Sequence, residues 1–382
     1  MYKRIAAPLL KRYARLYPII SIMGPRQSGK TTLAKEIFDH LPYVSLEDPD
    51  IRANATQDPR GFLSQYPKGA ILDEAQHAPH LFSYLQTIVD ASPKAGKFVL
   101  TGSHNFSISA QISQSLSGRA GLITLLPLSF EENPLSQKSL YDSIFKGGYP
   151  GLYKRRMKPT EFFPSYIQTY LERDVRSLKN IGNLTQFQMF LKLCAGRVGQ
   201  VLNLSALAQD CGTTHTTARE WISILETSYI LFRLPPFHRN FKKRLIKMPK
   251  LYFYDTGLVC ALLSLEKSAQ LDMHHAKGAL CENFAILELM KARLNRGLAP
   301  NLSYWRDQTG HEIDAIAEWG GAIRTFEIKA AQTFSSDFTK GLDYFSKLAP
   351  ESKPHILFNT KAASRHRNIK LIPLTDIKIT VK

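Results

Sequence analysis

The sequence predicts an α/β protein of more than one domain, led by a parallel sheet, and three observations support that prediction. Five short apolar runs, near residues 18–23, 43–47, 70–73, 97–101 and 121–126, alternate with helical stretches, the pattern of a parallel α/β sheet. The first run leads directly into a glycine-rich turn that opens a helix. A chain of 382 residues and 43.2 kDa is also too long for one ordinary core, and at roughly 150 residues per domain two or three domains are expected. We place the domains at 1–155, 156–268 and 269–382.

Composition narrows the class. Apolar residues at 44% and charged residues at 21% are globular proportions and exclude disordered, collagen-like and coiled-coil chains. Cys194, Cys211, Cys260 and Cys281 are far apart, which argues against a disulfide scaffold or structural zinc and for a reduced, cytoplasmic protein. No apolar run approaches the roughly 18 residues of a membrane helix, so no membrane partner is expected. Lys11, Arg12 and Arg15 interrupt every N-terminal apolar stretch, which leaves no signal-type hydrophobic region. Ile5, Leu9, Tyr13 and Leu16 instead predict one stripe of an amphipathic helix.

The run Tyr17–Met23 reads as a buried strand. It opens into Gly24-Pro25-Arg26-Gln27-Ser28-Gly29-Lys30-Thr31, which fits G-x-x-x-x-G-K-[ST] at every fixed position. The glycines let the backbone wrap a phosphate, and the helix N-terminus points its amides at it. Lys30 is assigned to the β/γ-phosphates and the Thr31 hydroxyl to Mg²⁺; with Thr32 these residues form the predicted nucleotide-binding stretch. Ala70-Ile-Leu-Asp73-Glu74 is a short strand ending in two acids, Asp73 for Mg²⁺ and Glu74 to polarise the attacking water. A third strand ends near Thr101, Ser103 and Asn105, candidates to sense the γ-phosphate. Arg119 is a candidate arginine finger or phosphate sensor, with a solvated helix-end arginine as the rival reading.

The net charge of +18 is uneven. Residues 151–270 hold 18 Lys+Arg against 8 Asp+Glu, a net of +10, whereas residues 1–150 (16 against 12) and 271–382 (16 against 12) each net +4. Such clustering is the footprint of a polyanion, since neutralised phosphates release counterions. In this stretch Phe187, Phe190, Leu191 and Cys194 mark one helix, Ser205 to Asp210 a second ended by Cys211-Gly212, and Thr213–Ala218 opens a third. Tyr229–Leu234 and Lys250–Tyr254 read as strands flanking a basic loop of Arg239, Lys242, Lys243, Arg244 and Lys247. Three helices and then a hairpin make a winged helix, with Thr214, His215, Thr217 and Arg219 facing a DNA groove. Winged helices also serve as protein-docking modules, so a protein partner is the alternative.

In the last third, Glu282 lies within an apolar helix beginning at Gly278. Strands at Leu302–Trp305, Gly310–Ala317 and Ile323–Lys329 follow, with a turn at Trp319-Gly-Gly321. Alternation along a strand puts Glu327 and Lys329 on one face, which Asp314 shares across the hairpin. Glu282, Asp314 and Glu327 would hold a metal that polarises a phosphodiester, and Lys329 would support the nucleophilic water.

The combination resembles a large group of prokaryotic AAA+-type ATPases with an uncharacterised C-terminal domain. The matching stretches are Gly24–Leu33, Leu72–Gln76, Leu100–Ser103, Ser115–Arg119, Gly147–Pro150, Leu171–Val175, Lys250–Leu258 and Glu327–Lys329, from about residue 20 to about residue 345. The resemblance implies an AAA+-like core, a winged helix and a C-terminal domain similar to PD-(D/E)xK restriction-endonuclease-like folds. It also implies ATP and Mg²⁺ at Lys30, Thr31, Asp73 and Glu74, and the nuclease pattern is intact at Glu282, Asp314, Glu327 and Lys329. The expectation is an ATPase acting on DNA, with nuclease activity and a homo-oligomer left open. The alternative is a nucleotide-controlled switch that binds a protein partner and carries a decayed nuclease fold.

Overall fold

The five leading apolar runs become five parallel strands: β1 (Ile19–Met23), β2 (Tyr43–Ser45), β3 (Ala70–Asp73), β4 (Phe98–Gly102) and β5 (Ala120–Thr124). They lie in the order β5-β1-β4-β3-β2, each neighbour parallel. Every residue of β1, β3 and β4 is buried, as strands covered on both faces by helices must be, which is why they read as continuous apolar runs. The computed structural model describes residues 2–103, 115–134, 139–171, 183–238 and 246–381. These form two compact units, one of Met1–Leu128 with Thr227–Tyr229 and Leu294–Leu298, the other of Ser129–Glu226, Ile230–Arg293 and Ala299–Lys382. Most of the expected middle and C-terminal segments therefore lie in a single unit.

The predicted N-terminal helix is present but short, at Ala7–Tyr13. Ile5 and Leu16 lie beyond its ends and are exposed, whereas Leu9 and Tyr13 of the expected stripe face the core, joined by Ala6 and Leu10, and pack with Ile20, Ile22, Leu33, Phe38, Val99 and Ile123.

In the second unit the helices Leu184–Gly196, Leu204–Asp210 and His215–Thr227 precede an antiparallel pair, β6 (Leu231–Leu234) and β7 (Lys250–Phe253). Phe187 and Phe190 meet Trp221 edge-on at 5.5 and 5.1 Å, and Gly212 takes the left-handed conformation (φ 66°) between the second and third helices. The predicted groove residues Thr214, His215 and Arg219 are exposed. The loop cations Arg239, Lys242, Lys243 and Arg244 and most of the Leu171–Val175 stretch lie outside the described residues.

A second sheet, β12-β13-β11-β10-β9-β8, closes the chain: β8 (Leu302–Arg306), β9 (Glu312–Trp319), β10 (Ala322–Lys329), β11 (Lys353–Phe358), β12 (Ser364–His366) and β13 (Ile369–Pro373). β8, β9 and β10 are antiparallel, whereas β11 lies parallel to β10 and to β13. The helix Lys340–Leu348 buries Leu342 and Phe345 in a core with Trp305, Ile313, Ile316 and Ile356. Among the described residues, no helix is long and apolar enough to cross a membrane.

Candidate functional site

The loop after β1 is shaped by close backbone packing. At Gly24 (φ 148°) a Cβ would lie 2.2 Å from the Leu125 carbonyl oxygen, so only glycine fits there. Gly29, also left-handed (φ 95°), starts the helix Lys30–Ile37. Lys30 is buried, and its Nζ donates to the carbonyls of Gly24 and Pro25 at 2.9 Å each, bridging the loop. The buried Ser28 hydroxyl finds no hydrogen-bond partner among the described residues. Arg26 reaches Glu47 at 3.2 Å, Gln27 has a left-handed backbone (φ 60°), and Thr32 is exposed on the first helical turn.

The strand order places β4 between β1 and β3, so the ends of all three strands converge. Thr31 Oγ1 donates to Asp73 at 3.0 Å, the Tyr43 hydroxyl donates to the same carboxylate at 2.7 Å, and the Thr101 hydroxyl donates to it from β4. Burial and the Asp73 carboxylate push the Tyr43 hydroxyl well above its usual range, so it stays a donor. Glu74 accepts from Gln76 Nε2 at 2.5 Å, from Ser103 Oγ at 2.9 Å and from the Ser103 amide at 3.2 Å. Burial pushes the Glu74 carboxyl up, but the Lys30 cation, Gln76 and Arg26 outweigh it and hold the group below its usual range. Thr31 and Asp73 thus offer the hydroxyl and carboxylate that Mg²⁺ takes alongside substrate phosphates, and the residues present fit that ion. Asn105 lies outside the described residues.

Arg119 is elsewhere. Its carbonyl accepts from the Ile19 amide at the start of β1, so it stands at the sheet end opposite the loop. Five strand residues at roughly 3.3 Å each separate the two ends by about 16 Å. Its guanidinium grips Asp90 at 2.5 and 2.8 Å. A phosphate-sensing role within its own chain is therefore corrected by the geometry: Arg119 does not reach this loop.

In the second unit the structure brings together Glu282, Asp314, Glu327 and Lys329. Glu282, on the helix Lys277–Leu294, accepts from Lys250 Nζ at 2.9 Å and from the Tyr252 hydroxyl at 2.5 Å. Asp314 on β9 accepts from the Ile328 amide of β10 at 2.8 Å, and Lys329 pairs with Glu327 at 2.6 Å. Glu312, two residues before Asp314, pairs with Lys250 at 2.5 Å and with Arg306 at 3.4 Å. Burial, together with the Asp314 charge, raises the carboxyls of Glu282 and Glu327 against the pull of Lys250 and Lys329 respectively. Burial likewise raises Asp314. These acids do not fit a divalent cation as arranged: ammonium groups take oxygens of Glu282, Glu312 and Glu327, the Ile328 amide takes one of Asp314, and among the described residues no group of three or more His, Cys, Asp or Glu is placed to hold a metal.

Residues 16–133 match an AAA domain, residues 137–269 a domain of unknown function (DUF8612) and residues 277–377 a domain of unknown function (DUF4143). The uncharacterized protein Rv2008c of Mycobacterium tuberculosis is 32% identical over 336 residues, spanning 87% of this chain and 74% of that one. An uncharacterized protein of Haemophilus influenzae is 24% identical over 272 residues, 62% of this chain and 67% of its own. The Walker-type ATPase paby2304 of Pyrococcus abyssi aligns over 69% of this chain and 96% of its own, at 14% identity and a TM-score of 0.48. The chain belongs to one family with the mycobacterial protein. It is an AAA+-type ATPase with a C-terminal DUF4143 domain.

Several residues of this AAA+-type ATPase have roles that escape a reading of the sequence. Arg4 is buried, and its guanidinium donates to the carbonyls of Ser28 at 2.7 Å and Leu126 at 2.6 Å, bracing the phosphate loop from behind. Tyr43 joins Asp73 only through folding, whereas Gln76 lies two residues from Glu74, in the stretch Leu72–Gln76, without a role that the sequence assigns. Lys250 had one signal, a lysine at the head of the wholly buried run Leu-Tyr-Phe.

Proposed function

We propose that this AAA+-type ATPase is Mg²⁺-dependent and acts on DNA, with nucleotide-driven rearrangement serving a winged helix in the basic middle segment. The observation that carries the ATPase chemistry is the convergence of Lys30, Thr31, Asp73, Glu74 and Ser103 at one end of the parallel sheet. Lys30 would exchange its two loop carbonyls for β/γ-phosphate oxygens, which loses no hydrogen bond. Mg²⁺ at Thr31 and Asp73 would neutralise charge on the transferred phosphoryl group. Glu74 is held charged and aimed by Ser103 and Gln76, so it orients and polarises the attacking water. Arg119, turned away from its own loop, would serve only a neighbouring copy.

The net of +10 in residues 151–270 supports DNA as the partner. The C-terminal domain is read as a restriction-endonuclease-like fold in which Glu282, Asp314, Glu327 and Lys329 cut or grip DNA. One observation favours a second reading, a nucleotide-controlled switch for a protein partner with a decayed nuclease fold: ammonium groups lie where a metal belongs.

The test is steady-state ATP hydrolysis by wild type and Lys30→Ala, each with and without duplex DNA. The proposal expects turnover that rises with DNA and vanishes in Lys30→Ala. Turnover indifferent to DNA would remove DNA as the effector and leave the partner switch. Turnover that survives in Lys30→Ala would remove the loop as the site.

A further inference from the structure

We infer that Lys250 is the resident cation of the C-terminal acidic cluster, filling the place between Glu282 and Glu312 and excluding a divalent metal while β7 is docked. The inference rests on reading that cluster as a nuclease-type fold, because only there is a metal the expected occupant.

Three features support it. The Lys250 ammonium bridges two carboxylates from different elements, Glu282 of the helix Lys277–Leu294 at 2.9 Å and Glu312 of β9 at 2.5 Å. The Tyr252 hydroxyl takes the same Glu282 oxygen at 2.5 Å, and the Asp314 carboxylate is engaged by the Ile328 amide. A divalent ion entering here would meet a fixed positive charge and would have to displace the ammonium to take the Glu282 and Glu312 oxygens it holds. The Lys250 side chain is 4% exposed, so it cannot swing into water without moving its strand.

That strand is held from several sides. Lys250 pairs with Leu234 inside the hairpin and bridges Val201, and its ammonium lies 5.5 Å from the ring centre of Tyr304. Both flanks of the hairpin tip are stitched to the edge strand β8. Tyr304 N donates to the Pro235 carbonyl at 3.0 Å, Phe237 N donates to the Tyr304 carbonyl at 2.6 Å, and Ile246 N donates to the Arg306 carbonyl at 3.2 Å. The Tyr304 hydroxyl donates to the Met248 carbonyl. The hairpin that delivers the lysine is thus an added edge of the C-terminal sheet, and withdrawing it would open the acids.

The experiment counts Mn²⁺ bound per full-length chain without nucleotide, by electron paramagnetic resonance, in wild type, Asp314→Asn, Lys250→Met, Lys250→Arg and Lys250→Met/Asp314→Asn. We expect wild type, Asp314→Asn and Lys250→Arg to bind Mn²⁺ alike. Lys250→Met should gain one ion per chain, which the double variant loses. A Mn²⁺ in wild type that Asp314→Asn removes would overturn the inference, and this comparison stands even if Lys250→Met fails to fold. A folded Lys250→Met that gains no ion would overturn it too. Nicking of duplex DNA, read in the same Mn²⁺-loaded Lys250→Met, separates the two readings: a gained ion without nicking keeps Lys250 as the excluding cation and removes the nuclease reading.

Discussion

Glu74 occupies a left-handed backbone conformation (φ 53°, ψ 50°), which costs an L-residue roughly 1–2 kcal/mol. The cost is offset because that turn aims the carboxylate at Ser103 and Gln76. Glu74→Gln should therefore bind ATP with near wild-type affinity while kcat falls about 10²–10⁴-fold, the range of a lost proton-transfer or water-orienting group. Nucleotide titration and turnover on the same preparation check both halves. The pair Asp73-Glu74 was legible in the sequence because two acids ending an apolar strand downstream of a phosphate loop have few other uses. Thr101 and Ser103 were legible only as candidates to sense the γ-phosphate, not as supports of these acids, which lie 28 and 29 residues before them, a distance only the fold spans.

Strands were readable where a short apolar run is unbroken, as in β1, β3 and β4, which are buried on both faces and show no alternation. Strand order was not, because in a parallel sheet adjacency is decided by crossovers and not by sequence neighbours. The same limit hid Lys250, whose partners come from the helix Lys277–Leu294 and from β9. Within β11, His355 is buried against Phe326, and its Nδ1 lies 2.8 Å from the Lys353 carbonyl oxygen. Burial lowers its pKa from 6.5 to about 4. A depressed imidazole contributes stability that is complete above about pH 6.5 and is lost as pH falls toward about 4. At 1.36 kcal/mol per unit this is on the order of 3 kcal/mol. Urea midpoints of wild type and His355→Leu between pH 7.5 and 4.5 should show a shallower acid decline in the variant. Arg4 makes its own prediction. Arg4→Ala strips a charged donor from two carbonyls, Ser28 in the phosphate loop and Leu126 just after β5, each such bond contributing about 1.5–3 kcal/mol. Melting temperature should fall and KM for ATP should rise, with kcat changed least; an unaltered KM would show that the loop holds its shape without the brace.

For the whole molecule, the charge distribution was the most legible property, since it needs only counting: +10 of the +18 lies in residues 151–270. If that stretch binds DNA phosphates, log affinity should fall linearly with log salt, with a slope near −0.9 per neutralised phosphate. Fluorescence anisotropy of a labelled duplex between 50 and 200 mM salt should then show roughly 10³–10⁵-fold weakening for six to ten contacts. A flat response would place the charge in some other role. The phosphate loop itself has a different kind of dependence on the whole. One guanidinium, from Arg4, ties Ser28 to Leu126, closing a bond across 122 residues of chain. Long closures of this sort are entropically costly and form late in folding. During synthesis, then, Gly24–Thr31 leaves the ribosome long before Leu126, and a nascent chain carries the motif for some time before the second anchor of its brace exists.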